Sequence, residues 1–277
     1  MAFIGCGNMG SSLLHGLLDA IFLGDAQNRT PHKVSKFIAC TNSEESAKTL
    51  ENILVGHVSR VSAPYRPNSE VMKQADVIIL GFKPSMAKKI LDDPEVRHNV
   101  CGKLVIRLIA GLSVPGIRDY ISGSGKLLSL PEFWVAKAIP NLAARYRQFM
   151  AILEQPTDQI PSPYHGFLEW MFNLNGHVKF LDDPLVDVGS VLVTNCLTSL
   201  TVPLDGVLDG SVIEGFRRKD SVNLIAQSVV GLGSLLSHGN HPAILREQIS
   251  SPRGCTINTL VAVERGAARV TFTDALI

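Results

Sequence analysis

Three observations predict an α/β protein in which a doubly wound parallel-sheet domain is followed by an all-helical one. Short apolar runs alternate with amphipathic stretches through the first half of the chain, and a glycine-rich loop joins the first run to the first amphipathic stretch. After a proline-rich segment at 156–163, only long helix-compatible segments follow. Strand–helix alternation sets parallel strands side by side with helices on both faces, because each crossover helix buries its apolar stripe against the sheet. The two domains are expected over residues 1–152 and 153–277.

Taken in order, strands are expected at Met1–Ile4, Lys36–Cys40, Val77–Gly81 and Lys103–Ile109, with weaker ones at Gly56–Val61 and Val135–Ile139. Between them, Ser11–Ala20, Glu44–Asn52, Ser85–Leu91 and Val114–Ile121 carry helical periodicity. The second half reads as helices at His165–Leu174, Leu185–Leu208, Asp220–Ser237, Ala243–Ile249 and Thr256–Arg265. Pro203 falls inside the second of these, where a missing donor and a clash with the preceding turn predict a kink or a break. Loops are signalled at 122–126 and 155–163.

Composition narrows the function. With 277 residues, 45% hydrophobic and 18% charged, the chain has ample material for a core and is not disordered. Lys and Arg number 26 against 25 Asp and Glu, a net charge of +1 with no basic run, so neither nucleic acid nor an anionic membrane is an expected partner. Five cysteines, without metal spacing, read as free thiols in a reducing compartment. No basic and apolar leader opens the sequence, and the expected location is cytoplasmic. No metal site is expected.

Gly5-Cys6-Gly7-Asn8-Met9-Gly10 is a complete G-x-G-x-x-G between a strand and a helix. Gly5 permits the tight turn, Gly7 lets backbone approach a pyrophosphate, and Gly10 allows close helix–strand packing, while the helix N-terminus attracts the anion. The second strand ends on neutral Thr41, Asn42 and Ser43. A ribose 2′-hydroxyl is usually met there by Asp or Glu, so NADPH is favoured and NADH stays open. No Arg stands there to clasp a 2′-phosphate, and only Lys48, one turn along the helix, offers a positive charge; Glu44 and Glu45 read as carboxylates complementing the helix dipole.

The motifs Phe3-Ile-Gly-Cys-Gly-Asn-Met-Gly10, Ala75-Asp-Val-Ile-Ile-Leu-Gly-Phe-Lys-Pro84, Ile109-Ala-Gly-Leu-Ser113, Ala138-Ile-Pro-Asn141 and Ser251-Pro-Arg-Gly-Cys-Thr256 follow one another in this order. In that order, and in the tail from Gly239 to Pro252, the chain resembles the pyrroline-5-carboxylate reductases along essentially its whole length. The resemblance implies an N-terminal Rossmann dinucleotide-binding domain followed by an all-helical dimerisation domain. It also implies reduction of a cyclic imine by hydride from a nicotinamide cofactor, in a homodimer or an assembly of dimers. Phe82, Lys83 and Pro84 would line the cofactor, and Ala110 and Gly111 would approach the nicotinamide ribose. Asn141 would hydrogen-bond near the nicotinamide or imine, or be a turn former only. Thr256 would orient the imine nitrogen, or only cap its helix. Ser251, Arg253, Gly254 and Cys255 belong to the turn implied to hold a substrate carboxylate, with Thr194 and Asn195 nearby.

Three departures fall in the implied substrate region. Val193-Thr-Asn-Cys-Leu-Thr198 replaces a Ser-Gly-Ser-Gly-Pro-Ala-like stretch, Leu142-Ala143 replaces Thr-Pro, and Arg253 stands where the family carries glycine. Two readings follow: an imine reductase of proline biosynthesis or of a specialised pathway, or a non-catalytic dinucleotide-binding homologue.

Overall fold

Residues 1–22, 32–57, 59, 61–63, 65, 67–123, 132–155 and 160–277 are described by the computed structural model. Eight strands form one sheet: β1 (Ala2–Ile4), β2 (Phe37–Cys40), β3 (Val61–Ser62), β4 (Val77–Leu80), β5 (Leu104–Arg107), β6 (Trp134–Ile139), β7 (Phe149–Glu154) and β8 (Gly176–Leu181). Their order is β3-β2-β1-β4-β5-β6-β7-β8. Neighbours run parallel except β6 and β7, which are antiparallel. The first six strands thus take the 3-2-1-4-5-6 order of a dinucleotide-binding sheet.

Alternation along the strands divides the core between two faces. Phe3, Phe37, Ile79 and Ile106 face one side, covered by α1 (Asn8–Phe22) through Leu13, Leu14, Leu17 and Leu18, and by α7 (Ser162–Asn173) through Leu168, Met171 and Phe172. Ile4, Ile38, Ile78 and Val105 face the other. There they meet α3 (Asn68–Lys73), α4 (Ala87–Leu91), α5 (Pro94–Asn99) and α6 (Val114–Ser122). The remaining helix of this half, α2 (Glu44–Ile53), starts at Ser43, whose hydroxyl accepts from the Ser46 amide at 3.2 Å. Contact between α1 and later chain is close at Gly16, where a Cβ would strike the Ala144 carbonyl and lie 2.8 Å from Asn175 Nδ2. That Nδ2 donates to the Leu13 carbonyl at 2.8 Å, and Asn175 is fully buried.

Several expectations need correction. The join expected at 152 falls inside β7, and β8 lies within the stretch expected to be all-helical. β8 hides in sequence because only one face is apolar: Val178 and Phe180 pack on the core while His177 and Lys179 alternate outward; β7, a buried apolar run, carries a strand signal that the expected join at 152 cuts through. The chain divides instead into compact units Met1–Ser190 and Val191–Ile277. The strand expected over 56–61 is only the two-residue β3; Val55–His57 is a 3₁₀ turn, and residues 58 and 60 lie outside the described set. Ser85–Leu91 is a 3₁₀ turn, Pro84–Met86, leading into α4. Residues 124–126 and 156–159 of the two expected loops also lie outside the described set.

The second unit contains most of α8 (Asp183–Ile213), then α9 (Arg218–Ser237), α10 (Pro242–Ile249), α11 (Cys255–Arg265) and α12 (Ala268–Asp274). No break occurs at Pro203, which lies inside α8. Proline there deprives the Ser199 carbonyl of its amide partner, and the local Thr and Ser hydroxyls bond back to carbonyls along the same helix, Thr201 to Thr198 at 2.6 Å among them. By length and composition α8 could cross a membrane. Its apolar side chains Leu192, Leu197, Leu200 and Val202 are exposed in the single chain.

Candidate dinucleotide site

The strand order reverses between β1 and β4, and the segments that follow β1, β2 and β4 line a cleft of about 640 Å³. Its floor is the glycine loop. Gly5 has φ +82°, and a Cβ on it would lie 2.7 Å from Phe82 Cβ, so only glycine fits both the turn and the contact. The Gly5 and Cys6 amides donate to the Cys40 carbonyl at 3.1 and 2.9 Å, tying the loop to the end of β2. Gly7 is the opposite case: a Cβ there would have nothing within 4 Å, leaving an open approach above the loop. The Gly7 carbonyl accepts from Ser11 at 2.8 Å, so α1 begins here with Asn8, Met9 and Gly10 supplying its free N-terminal amides. This cradle fits a pyrophosphate. Cys6 also lines it; burial, with Cys40 adding, pushes its thiol up to about 12, so the loop carries no thiolate against an anion.

Of the residues expected at the end of β2, Thr41 and Asn42 line the cleft. Ser43 does not, because its hydroxyl caps α2 and donates to Ser46 Oγ at 2.9 Å. Ser46 takes its place in the wall. The β4 side is formed by Phe82 and Lys83, with Pro84 opening the 3₁₀ turn. Sequence reasoning missed Tyr65, Asn68, Met86 and Lys89, which reach the cleft from the segments after β3 and β4. Lys48 is exposed and does not line it.

At the end of β5, Ala110 and Gly111 form an exposed turn, with Gly111 at φ +74°. Arg107 holds it from beneath: Nη1 donates to the Ile109 carbonyl at 2.6 Å and to the Leu112 carbonyl. Burial lowers this guanidinium from its usual value, and the carboxylates of Asp187, Glu154 and Asp183 oppose the shift. Asn141, 6% exposed, is the cap of the 3₁₀ turn Leu142–Tyr146, with Oδ1 accepting from the Ala143 amide at 3.0 Å. Its Nδ2 has no protein partner among the described residues.

Of the expected substrate residues, Thr194, Asn195 and the 251–256 turn belong to the second unit. Asn195 Nδ2 donates to the Ala275 carbonyl at 3.0 Å, so this amide ties α8 to the end of the chain. Thr194 is exposed on α8. The Gly254 amide closes the turn on the Ser251 carbonyl at 3.0 Å, and Arg253 adopts φ +62°, the left-handed region that a glycine enters without cost. Cys255 is the first residue of α11 and Gly254 its cap, without a side-chain bond. Thr256 therefore lies inside the helix, and the capping role expected as its alternative is not the one it takes.

This strand order with a glycine loop at its switch point defines a Rossmann-type dinucleotide-binding protein. A pyrroline-5-carboxylate reductase from Lophium arboricola is 30% identical over 286 aligned residues, covering 100% of this chain and 89% of its own. The chain belongs to the pyrroline-5-carboxylate reductase family. The family model for pyrroline-5-carboxylate reductase dimerisation matches residues 185–277, and that for coenzyme F420-dependent NADP oxidoreductases matches 1–111. A pyrroline-5-carboxylate reductase from Schizosaccharomyces pombe is 28% identical, covering 97% of this chain and 92% of its own. The crystal structure of a Plasmodium falciparum pyrroline carboxylate reductase with NADP bound superposes with a TM-score of 0.79 at 21% identity, covering 99% of this chain and 93% of its own.

Proposed function

We propose that this chain reduces a cyclic imine carboxylate, pyrroline-5-carboxylate or a related ring, at the expense of NADPH, as a cytoplasmic homodimer or assembly of dimers. The observation that carries this is the cleft: a glycine loop open above Gly7, a neutral β2 end, and two lysines, in a chain of this family. NADPH, when bound, supplies the hydride. The α1 N-terminus and Gly7 would hold its pyrophosphate, Thr41 and Asn42 its adenosine ribose, and Phe82 and Lys83 the wall between the two nucleotides. Ala110 and Gly111, fixed by Arg107, would face the nicotinamide ribose, and Asn141 Nδ2 is the donor left for nicotinamide or imine. In the second unit, the Thr256 hydroxyl would orient the imine nitrogen, and the 251–255 turn would take the carboxylate, with Arg253 as a cation for it. Positioning then supplies most of the catalysis, with the imine proton coming from water or already present on the iminium ion. The exposed apolar face of α8, inside the segment matched by the dimerisation model, is the surface a second copy would cover.

The test is NADPH oxidation by purified protein with pyrroline-5-carboxylate and piperideine carboxylates. Turnover at about 1–1000 per second on one of them supports the reading. The second reading, a non-catalytic dinucleotide-binding homologue, draws on the altered 193–198 segment, where Asn195 is already engaged with Ala275. NADPH binding with no oxidation by any ring would establish it instead.

A further inference from the structure

We infer that Lys89 selects the phosphorylated cofactor, its ammonium pairing with the 2′-phosphate of NADPH across the cleft from the end of β2. The inference rests on the dinucleotide reading above and adds to it the residue that discriminates.

In this fold the adenosine ribose lies at the end of β2. Here that end presents Thr41 and Asn42, which can hydrogen-bond a phosphate but cannot neutralise it, and which offer no carboxylate to a free 2′-hydroxyl. A dianionic phosphate in a concave site needs a cation, and the described part of the cleft wall supplies two, Lys83 and Lys89. Neither has an ion pair or hydrogen bond to another described residue.

Their positions separate their roles. Lys83 follows Phe82, which packs directly on Gly5, and so belongs to the pyrophosphate loop. Lys89 lies two turns further on, in α4, where Met86 and Ile90 join Tyr65 and Pro67 in an apolar wall suited to an adenine ring. An adenine on that wall would carry its ribose toward the end of β2, in the same cleft that Lys89 lines. Lys88, its neighbour, is exposed and does not line the cleft, and Glu44 and Glu45 of α2 do not line it either. A long flexible stem lets the Lys89 ammonium follow the phosphate as a point charge.

Calorimetric titration of the full chain with adenosine 2′,5′-bisphosphate and with 5′-AMP tests this without any turnover. Wild-type protein is expected to prefer the bisphosphate. Lys89→Met should lower bisphosphate affinity about 10- to 100-fold and leave 5′-AMP unchanged, with Lys89→Arg restoring most of the loss. Added salt should erode the wild-type preference and not that of Lys89→Met. An unchanged preference in Lys89→Met, or an equal loss for both nucleotides, overturns the assignment. A wild-type chain that binds neither nucleotide overturns the dinucleotide reading itself and this assignment with it.

Discussion

Lys137 of β6 holds Asp187 of α8 at 3.1 Å, and the same ammonium reaches Asp183 at 3.3 Å. The lysine side chain is 8% exposed while both carboxylates are largely in water. The energetic burden is therefore one-sided: a carboxylate released here stays hydrated, whereas an ammonium left alone stays buried. Since α8 begins at Asp183, this contact fixes the first turns of that helix against β6.

Removing one acid leaves Lys137 a partner, so Asp187→Asn should cost little. The double variant Asp183→Asn/Asp187→Asn should lose about 2 kcal/mol in urea unfolding, more than the sum of the two single changes. Strict additivity would show that the two carboxylates do not share the ammonium.

Glu154, beside this cluster on β7, carries the opposite burden. Burial first, then Asp183, raises its carboxyl above the usual range, and the pull of Lys137 and Arg107 does not cancel this. A raised value in the folded state means the fold binds that proton more tightly, so this contribution is full below the ordinary carboxylate value and lost as pH rises through the raised one. Glu154→Gln is expected to raise Tm at pH 7, with the gap over wild type closing near about pH 4. An equal gap at both pH values would trace the effect to packing.

Two glycines in one segment should behave oppositely. Gly7→Val adds bulk to open space, so unfolding should be unchanged while NADPH affinity falls at least about tenfold. Gly16→Ala drives a methyl against the Ala144 carbonyl and should cost about 2 kcal/mol. Thermal melts and NADPH titration of both proteins distinguish the two; a destabilised Gly7→Val with normal affinity would reverse the assignment.

Thr256 makes no capping bond, so Thr256→Ala should leave unfolding and NADPH affinity near wild type while lowering turnover on the imine. Unchanged turnover and unchanged imine KM would remove Thr256 from the substrate site.

The parts of this fold that could be read in sequence are those whose signal is local. Ala2–Ile4, Val77–Leu80 and residues 104–106 are buried on both faces and stand out as unbroken apolar runs. β8 is half-exposed and diluted by His177 and Lys179, and it was lost among helical signals. The glycine loop was legible because its chemistry is confined to six neighbouring residues. The cation of the adenosine end was not: Lys48 is closer to β2 along the chain, but Lys89 lies in the cleft wall, brought there by strand order alone. Ser43 and Thr256 show the same limit in reverse, since a hydroxyl near a helix start reads alike whether it caps the helix or not.

The bond from Asn175 to the Leu13 carbonyl joins residues 162 positions apart. A ribosome makes the glycine loop well before it reaches Asn175, so the helix behind that loop acquires this anchor only long after the loop itself has been made. The nascent protein thus carries its most recognisable motif long before that motif has its full support. Competence to capture a nucleotide during synthesis should begin when Asn175 clears the exit tunnel, and the helices that follow are made on a chain already able to hold its coenzyme.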